Sequence, residues 1–228
     1  MRDRLIVALD VDNLKKAKAL VDKLYPMVKI FKIGNELFTA CGPQAIKMIH
    51  KKRAKVFLDL KFHDIPNTVA RAIKAAKGMG VFMVNLHASG GRDMLEAAVS
   101  MKGKGEGPII LAVTVLTSLD EKALKKVGIK KSPLRQAKDL ALLAKSCRID
   151  GVVCSAKEIM AIRKACGRNF IIVTPGIRPQ GDKKQDQKRT ATPEYAFRHG
   201  ADYIVVGRPI TEAKDPVSAC KAILDILK

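Results

Sequence analysis

Three charged residues, Asp59, Lys61 and Asp64, follow the apolar run at residues 56–58. Such a run is typical of a buried strand, and side chains two positions apart on a strand point to the same side, so Asp59 and Lys61 would face one way. Ionised groups in or beside a core are unfavourable unless they are paired. The cluster is therefore either a structural ion-pair network or a catalytic site, and its spacing alone does not decide between the two.

The elements that must position this cluster follow a repeated pattern of short apolar runs and amphipathic segments. We predict strands at residues 5–9, 27–33, 55–60, 81–86, 108–116, 151–154, 169–173 and 201–206. Strands that alternate with helices form parallel sheets. Eight such units predict an α/β fold, a single-domain (β/α)8 TIM barrel over residues 1–228. An open, doubly wound sheet is the alternative, but its usual nucleotide fingerprint, GxGxxG after the first strand, is absent from the sequence.

Strand alternation places two further charged residues beside the cluster. Asp10 directly follows the first predicted strand, and Lys32 is the last residue but one of the second. Each points to the same side of its strand as the apolar residue two positions before it. Active sites of (β/α)8 barrels lie at the carboxyl ends of the strands, whereas residues that serve stability lie mostly at the opposite face. We therefore expect Asp10, Lys32, Asp59 and Lys61 to converge on one mouth of the barrel.

Cysteine usage and hydropathy exclude several classes of protein. The five cysteines are odd in number and include no CxxC pair, which argues against a disulfide framework or a zinc site. The apolar runs are all shorter than the roughly 18 residues that a membrane-spanning helix needs. The N-terminal segment has no apolar region long enough for a secretory signal. We predict a soluble cytoplasmic protein with no membrane partner.

The net charge of +21 would attract polyanions, so nucleic acid is a candidate partner. The lysines, however, are dispersed over many segments. Seven Phe, three Tyr and no Trp leave few rings on which bases could stack. An anionic small molecule as substrate explains the charge equally well, and we predict no specific nucleic-acid partner.

With these features in view, the chain resembles the orotidine 5′-phosphate decarboxylase family. The central motif is Asp59-x-Lys61-x-x-Asp64-Ile65-Pro66-Asn67-Thr68. Further similar segments are Ala8-Leu9-Asp10, Lys32-Ile33-Gly34, Val113-Thr114-x-Leu116-Thr117-Ser118, Thr174-Pro175-Gly176-Ile177-Arg178-Pro179, Asp186-Gln187-Lys188-Arg189 and Val206-Gly207-Arg208-Pro209-Ile210. They stand in the family's order over essentially the whole chain. The resemblance implies conversion of orotidine 5′-monophosphate to UMP and CO2, the last step of de novo pyrimidine synthesis, with no metal and no organic cofactor.

The resemblance also implies catalytic roles for the central motif. Lys61 would stabilise the charge that develops at C6 of the pyrimidine and then donate a proton to that carbon. Asp59 and Asp64 would keep Lys61 in its ammonium form and lie near the substrate carboxylate. In this family Asp64, Ile65 and Thr68 reach the active site of the other subunit, so the working unit would be a homodimer with shared active sites.

Substrate-binding roles follow from the same resemblance. Asp10 would accept a hydrogen bond from a ribose hydroxyl, and Lys32 would hold both the ribose and Asp59. Thr117 would contact the pyrimidine edge. Phosphate-binding residues are expected in the loops after strands seven and eight, where such barrels often bind phosphate. The predicted phosphate and lid residues are Arg178, Gln187, Gly207 and Arg208.

Two other functions remain open from the sequence. The first is a metal-dependent sister enzyme of the same barrel group, a 3-keto-gulonate-6-phosphate decarboxylase or a hexulose-phosphate synthase, which would need an extra acidic ligand for Mg²⁺. The second is a basic nucleic-acid-binding protein on a barrel scaffold. Activity that survives EDTA would argue against the first, and the absence of salt-dependent binding to nucleic acid would argue against the second.

Overall fold

Eight parallel strands pair in sequence order and close into a barrel, with the first strand bonded to the eighth. The computed structural model describes residues 4–103, 107–179 and 190–226. The strands are β1 Leu5–Ala8, β2 Ile30–Gly34, β3 Lys55–Phe62, β4 Met83–His87, β5 Ile109–Val113, β6 Gly151–Val153, β7 Ile171–Thr174 and β8 Tyr203–Val206. The predicted (β/α)8 barrel is confirmed, and the doubly wound alternative is excluded because the sheet is closed.

Helices connect the strands along the outside of the barrel. They are α1 Leu14–Leu24, α2 Asn35–Cys41, α3 Pro43–His50, α4 Pro66–Gly78, α5 Arg92–Ser100, α6 Glu121–Lys126, α7 Pro133–Ser146, α8 Ile159–Cys166, α9 Pro193–Arg198, α10 Arg208–Thr211 and α11 Pro216–Asp225. Short 3₁₀ turns at Ala88–Gly90 and Ala156–Glu158 precede α5 and α8. None of the helices described here is long and apolar enough to cross a membrane.

The element boundaries differ from the prediction where apolar sequence continues into loops. The apolar run at residues 108–116 is a strand only over Ile109–Val113, and Val115 and Leu116 beyond the strand line the cavity described below. Strand β3 instead continues two residues past its predicted end, to Phe62. Helices α2 and α10 were not predicted because both are too short to show a clear helical period.

Two apolar layers hold the barrel. One fills its interior and is formed by Ile6, Ala8, Ile30, Phe57, Met83, Leu111, Val113, Val153, Val173 and Val205. The other lies between the strands and the surrounding helices. The inward residues of β1, β2 and β3 belong to the first layer. Asp10, Lys32 and Asp59 each follow such a residue by two positions, so alternation carries them to the top of the same interior.

Local capping explains where the first helix begins. Asn13 is the N-cap, and its side chain accepts a hydrogen bond from the backbone N–H of Lys16 at 2.9 Å. The buried face of α1 is formed by Ala17, Val21 and Leu24, spaced as an amphipathic helix requires. Helix α1 is thereby fixed directly after the loop that carries Asp10.

At the face of the barrel opposite the charged mouth, two carboxylates each pair with a cation and also accept a hydrogen bond from a strand amide. The Asp202 carboxylate accepts the backbone N–H of Ile172 at 2.8 Å and lies 2.7 Å from the guanidinium of Arg163. Asp150 similarly accepts the N–H of Ile110 at 2.8 Å and pairs with Lys102 at 2.6 Å. These carboxylates accept the backbone N–H of the second residue of β5 and of β7, which is a stabilising role.

Replacing Asp202 with alanine is expected to lower the free energy of unfolding by about 1–3 kcal/mol, because a strand amide loses its acceptor and Arg163 loses its carboxylate partner. Thermal denaturation measures the change in the free energy of unfolding. Glu121→Ala is the matched control, since it removes a carboxylate from an exposed pair with Lys125. An exposed pair contributes at most about 1 kcal/mol. Equal losses in both variants would contradict the stabilising role of Asp202.

Candidate active site

Four ionised side chains form an alternating row across the carboxyl ends of β1, β2 and β3. The ammonium of Lys32 lies 2.9 Å from Asp10 Oδ1 and 3.3 Å from Asp59 Oδ2. The ammonium of Lys61 lies 2.8 Å from Asp59 Oδ1. Asp59 thus lies between two lysines, and Lys32 lies between two aspartates. The structure brings these four residues together at one mouth of the barrel.

The charge state of Lys32 is set by opposing effects. Burial disfavours its ammonium form, but the carboxylates of Asp59 and Asp10 outweigh burial, so the pKa of Lys32 is raised above its ordinary value. Lys32 therefore remains a cation at neutral pH although its side chain is almost fully enclosed. Its position leaves both carboxylates partly neutralised within the row.

Close packing around this row requires a small residue at position 34. A Cβ atom on Gly34 would stand 2.9 Å from Lys32 Nζ and 3.3 Å from Asp10 Oδ1. Any larger residue would push the lysine away from its carboxylates. Sequence reasoning named Gly34 only within the segment Lys32-Ile33-Gly34 and missed this contribution.

Lys61 reaches the mouth by a route that strand alternation does not describe. Between Leu58 and Phe62, strand β3 advances four residues while β4 advances two, from Val84 to Leu86. Lys61 lies within this bulge and has φ +52°, in the left-handed region that non-glycine residues seldom occupy. Lys61 does lie at the mouth, as expected. The reason given for it needs correction, because the bulge and not simple alternation with Asp59 places the side chain there.

The bulge is held by Asn85, a residue that sequence reasoning missed. The backbone N–H of Lys61 donates to Asn85 Oδ1 at 2.8 Å, and Asn85 Nδ2 donates to Asp59 Oδ1 at 2.6 Å. A usable signal was present in the sequence. Asn85 has the same strand parity as Met83, which faces the barrel interior, so strand alternation could have placed a polar group inside the barrel at the fourth strand.

A cavity of about 430 Å³ opens at this mouth. Its lining includes eight of the predicted site residues: Asp10, Lys32, Asp59, Lys61, Thr117, Arg178, Gly207 and Arg208. Apolar residues, among them Val113, Val153 and Pro175, form part of the wall. The cavity therefore combines a row of fixed charges at one side with arginines from the loops after β7 and β8 and an apolar surface between them.

The remaining predicted residues lie elsewhere. Asp64, Ile65 and Thr68 are exposed at the start of α4 and are not part of the lining of this chain's own cavity. Ile65 is 68% exposed, and Asp64 accepts a hydrogen bond from the backbone N–H of Ile65. Gln187 lies outside the described residues.

No group of three or more His, Cys, Asp or Glu side chains within residues 4–103, 107–179 and 190–226 has an arrangement that could hold a metal ion. The space between the Asp10 and Asp59 carboxylates contains the Lys32 ammonium. A cation of the protein itself therefore occupies the position that these two carboxylates could otherwise offer to a metal.

The fold and this cavity define a (β/α)8-barrel protein with a charged cavity at the carboxyl ends of its strands. A sequence model of the orotidine 5′-phosphate decarboxylase / HUMPS family matches residues 3–223. The chain belongs to this family.

Relatives and solved structures agree with that assignment. The chain is 52% identical to the orotidine 5′-phosphate decarboxylase of Moorella thermoacetica over 229 residues, which cover 97% of this chain and 91% of that protein. It is 51% identical to the enzyme of the same name from Legionella pneumophila strain Lens over 226 residues, covering 98% of this chain and 99% of that protein. The crystal structure of orotidine 5′-phosphate decarboxylase from Lactobacillus acidophilus superposes with a TM-score of 0.87 at 38% identity, with 99% of each chain covered.

Proposed function

We propose that the protein decarboxylates orotidine 5′-monophosphate to UMP and CO2, the last step of de novo pyrimidine synthesis. The observation that carries the proposal is the Lys61 ammonium, held 2.8 Å from Asp59 beside the cavity of a chain that belongs to this family. In many enzymes, fixed charges placed where charge develops in the transition state make the largest single contribution to the rate enhancement.

The chemistry requires a cation beside C6 of the pyrimidine. The bond from C6 to the carboxylate carbon breaks, its electron pair stays on C6, and CO2 leaves. Lys61 stabilises this electron pair and then transfers a proton from Nζ to C6, after which solvent restores the ammonium. Asp59 favours the charged form of Lys61 before the reaction, because an adjacent carboxylate stabilises an ammonium.

Binding of the rest of the nucleotide is assigned to the other lining residues. Asp10 and Lys32 hold the ribose, and Thr117 contacts the pyrimidine edge. Arg178, Gly207 and Arg208 bind the phosphate, together with Gln187. Because the phosphate is remote from C6, its binding energy can be used to position the base at the reacting end.

The working unit is a homodimer with shared active sites. Asp64, Ile65 and Thr68 are exposed on one chain, so they are free to enter the cavity of a second copy. Asp64 would then add a second carboxylate to the site of the other subunit. We place the enzyme in the cytoplasm and assign it no nucleic-acid partner.

An assay of purified protein with orotidine 5′-monophosphate tests the function directly. The ultraviolet absorbance change on decarboxylation should proceed at the same rate with and without EDTA. The metal-dependent sister enzymes should lose activity in EDTA, and they act on sugar phosphates instead. A chain inactive on orotidine 5′-monophosphate but active on such a sugar phosphate with Mg²⁺ would refute the proposal.

Arg208→Ala is expected to raise KM for the nucleotide by roughly 10- to 100-fold, because a charge-assisted hydrogen-bond pair to phosphate is lost. Steady-state kinetics measures the change. Lys214→Ala is the matched control, since it removes one nearby positive charge from an exposed residue beyond α10. A similar increase in both variants would indicate general charge attraction instead of a specific phosphate contact.

A further inference from the structure

Asn85 links the two residues on which the proposed chemistry depends. It lies on β4, is 0% exposed, and uses both ends of its amide. Its Nδ2 donates to Asp59 Oδ1 at 2.6 Å, while its Oδ1 accepts the backbone N–H of Lys61 at 2.8 Å. The orientation of the amide is unambiguous, because a carboxylate can only accept and a backbone N–H can only donate.

These two bonds act at a strained part of the backbone. Lys61 has φ +52° inside the β3 bulge, where its N–H has left the regular strand pairing. A buried N–H without a partner is unfavourable, and a left-handed residue persists only where its surroundings hold it. Asn85 supplies the missing acceptor. It thereby fixes the backbone from which the Lys61 side chain extends toward the cavity.

The same amide also fixes the carboxylate of Asp59. Asp59 Oδ1 receives Asn85 Nδ2 at 2.6 Å and the Lys61 ammonium at 2.8 Å, while Asp59 Oδ2 faces Lys32 at 3.3 Å. Each carboxylate oxygen therefore has a defined partner. Rotation of this carboxylate would change the distance to both lysines, so the Asn85 donor determines where the charge lies.

We infer that Asn85 is a positioning residue. Its side chain fixes the positions of Asp59 and Lys61 relative to each other and does not contact the substrate. The inference rests on the proposed function. The described lining of the cavity includes Asp59 and Lys61 and leaves Asn85 behind them. Asn85 is thus expected to affect the chemical step much more than substrate binding.

Two substitutions separate the two hydrogen bonds. Asn85→Ala removes both and should lower kcat by about 10²-fold while KM for orotidine 5′-monophosphate stays within about threefold, because misplacement of a reacting group by about 1 Å has effects of that size. Asn85→Asp keeps the side-chain volume and the acceptor for the Lys61 N–H. It replaces the amide donor with a second carboxyl group beside Asp59.

The Asn85→Asp variant should show a pH dependence that the parent enzyme lacks. Two carboxyls this close share a proton, which can replace the lost donor to Asp59. The ammonium groups of Lys32 and Lys61 face this pair of carboxyl groups and favour loss of the shared proton. Asp10 contacts the ammonium of Lys32, and His87 is on the same strand as residue 85. As pH rises, the proton leaves, the carboxylates repel, and the ratio of variant to parent kcat falls. It should recover at low pH.

Thr114→Val is the matched control. It removes another buried hydrogen bond at this end of the barrel, from Thr114 Oγ1 to the carbonyl of Val153 at 3.1 Å, and should leave kcat and the pH profile close to those of the parent. A pH-independent kcat ratio in Asn85→Asp, with Asn85→Ala within about threefold of the parent, would overturn the inference. Inactivity of the parent on orotidine 5′-monophosphate would instead refute the proposed function, so the two failures are distinguishable.

Discussion

Lys61→Ala is expected to lower kcat for orotidine 5′-monophosphate by about 10⁴-fold or more. The size follows from the loss of two contributions, because a positioned general acid provides about 10²–10⁴-fold and a fixed charge at the reacting atom about 10²–10³-fold. The Lys61 ammonium lies 2.8 Å from Asp59 Oδ1 and lines the cavity, so it can supply both a positive charge and a proton there. Steady-state and single-turnover kinetics measure the loss.

The binding of UMP should survive in the same variant, since phosphate and ribose contacts are assigned to other residues of the cavity. Calorimetric titration with UMP checks this expectation. Lys55→Ala is the matched control, because Lys55 lies at the opposite end of β3, exposed and stacked over the Phe82 ring. Its removal should leave kcat unchanged within about twofold, as for a surface substitution. Near-normal turnover by Lys61→Ala would remove the lysine from the chemical step.

Mixing inactive Lys61→Ala and Asp64→Ala subunits is expected to restore about a quarter of the parental activity after exchange. Half of the dimers formed from equal amounts contain one subunit of each kind. In such a dimer one site has lost both residues, whereas the other combines Lys61 of one subunit with Asp64 of its partner. Activity as a function of mixing ratio measures the effect.

The matched control mixes Lys61→Ala with Asp59→Ala subunits. Both substitutions fall in the same barrel mouth, where the two side chains are 2.8 Å apart, so no arrangement of subunits rebuilds an intact site. This mixture should remain inactive. If the Lys61→Ala and Asp64→Ala mixture also stays inactive although heterodimers form, Asp64 acts within its own chain and the shared-site proposal is wrong.

The positions of Asp10, Lys32 and Asp59 could be derived from the sequence because they obey a local rule. Each follows an inward apolar residue by two positions, near or just beyond the carboxyl end of its strand. The number of alternating units fixes the closed barrel, and the barrel fixes which strand ends meet. Local periodicity and topology together therefore predict a charged mouth without knowledge of any side-chain contact.

The placement of Lys61 and the contribution of Asn85 required the folded structure. The bulge in β3 depends on how this strand pairs with β4, and the left-handed conformation of Lys61 is maintained by the hydrogen bond that its N–H donates to a residue 24 positions away. Such long-range pairing leaves no periodic trace within either strand. Asp59 and Lys61 thus belong to an ion-pair row, and the lysine that we propose as catalytic is oriented by a buried amide on the neighbouring strand.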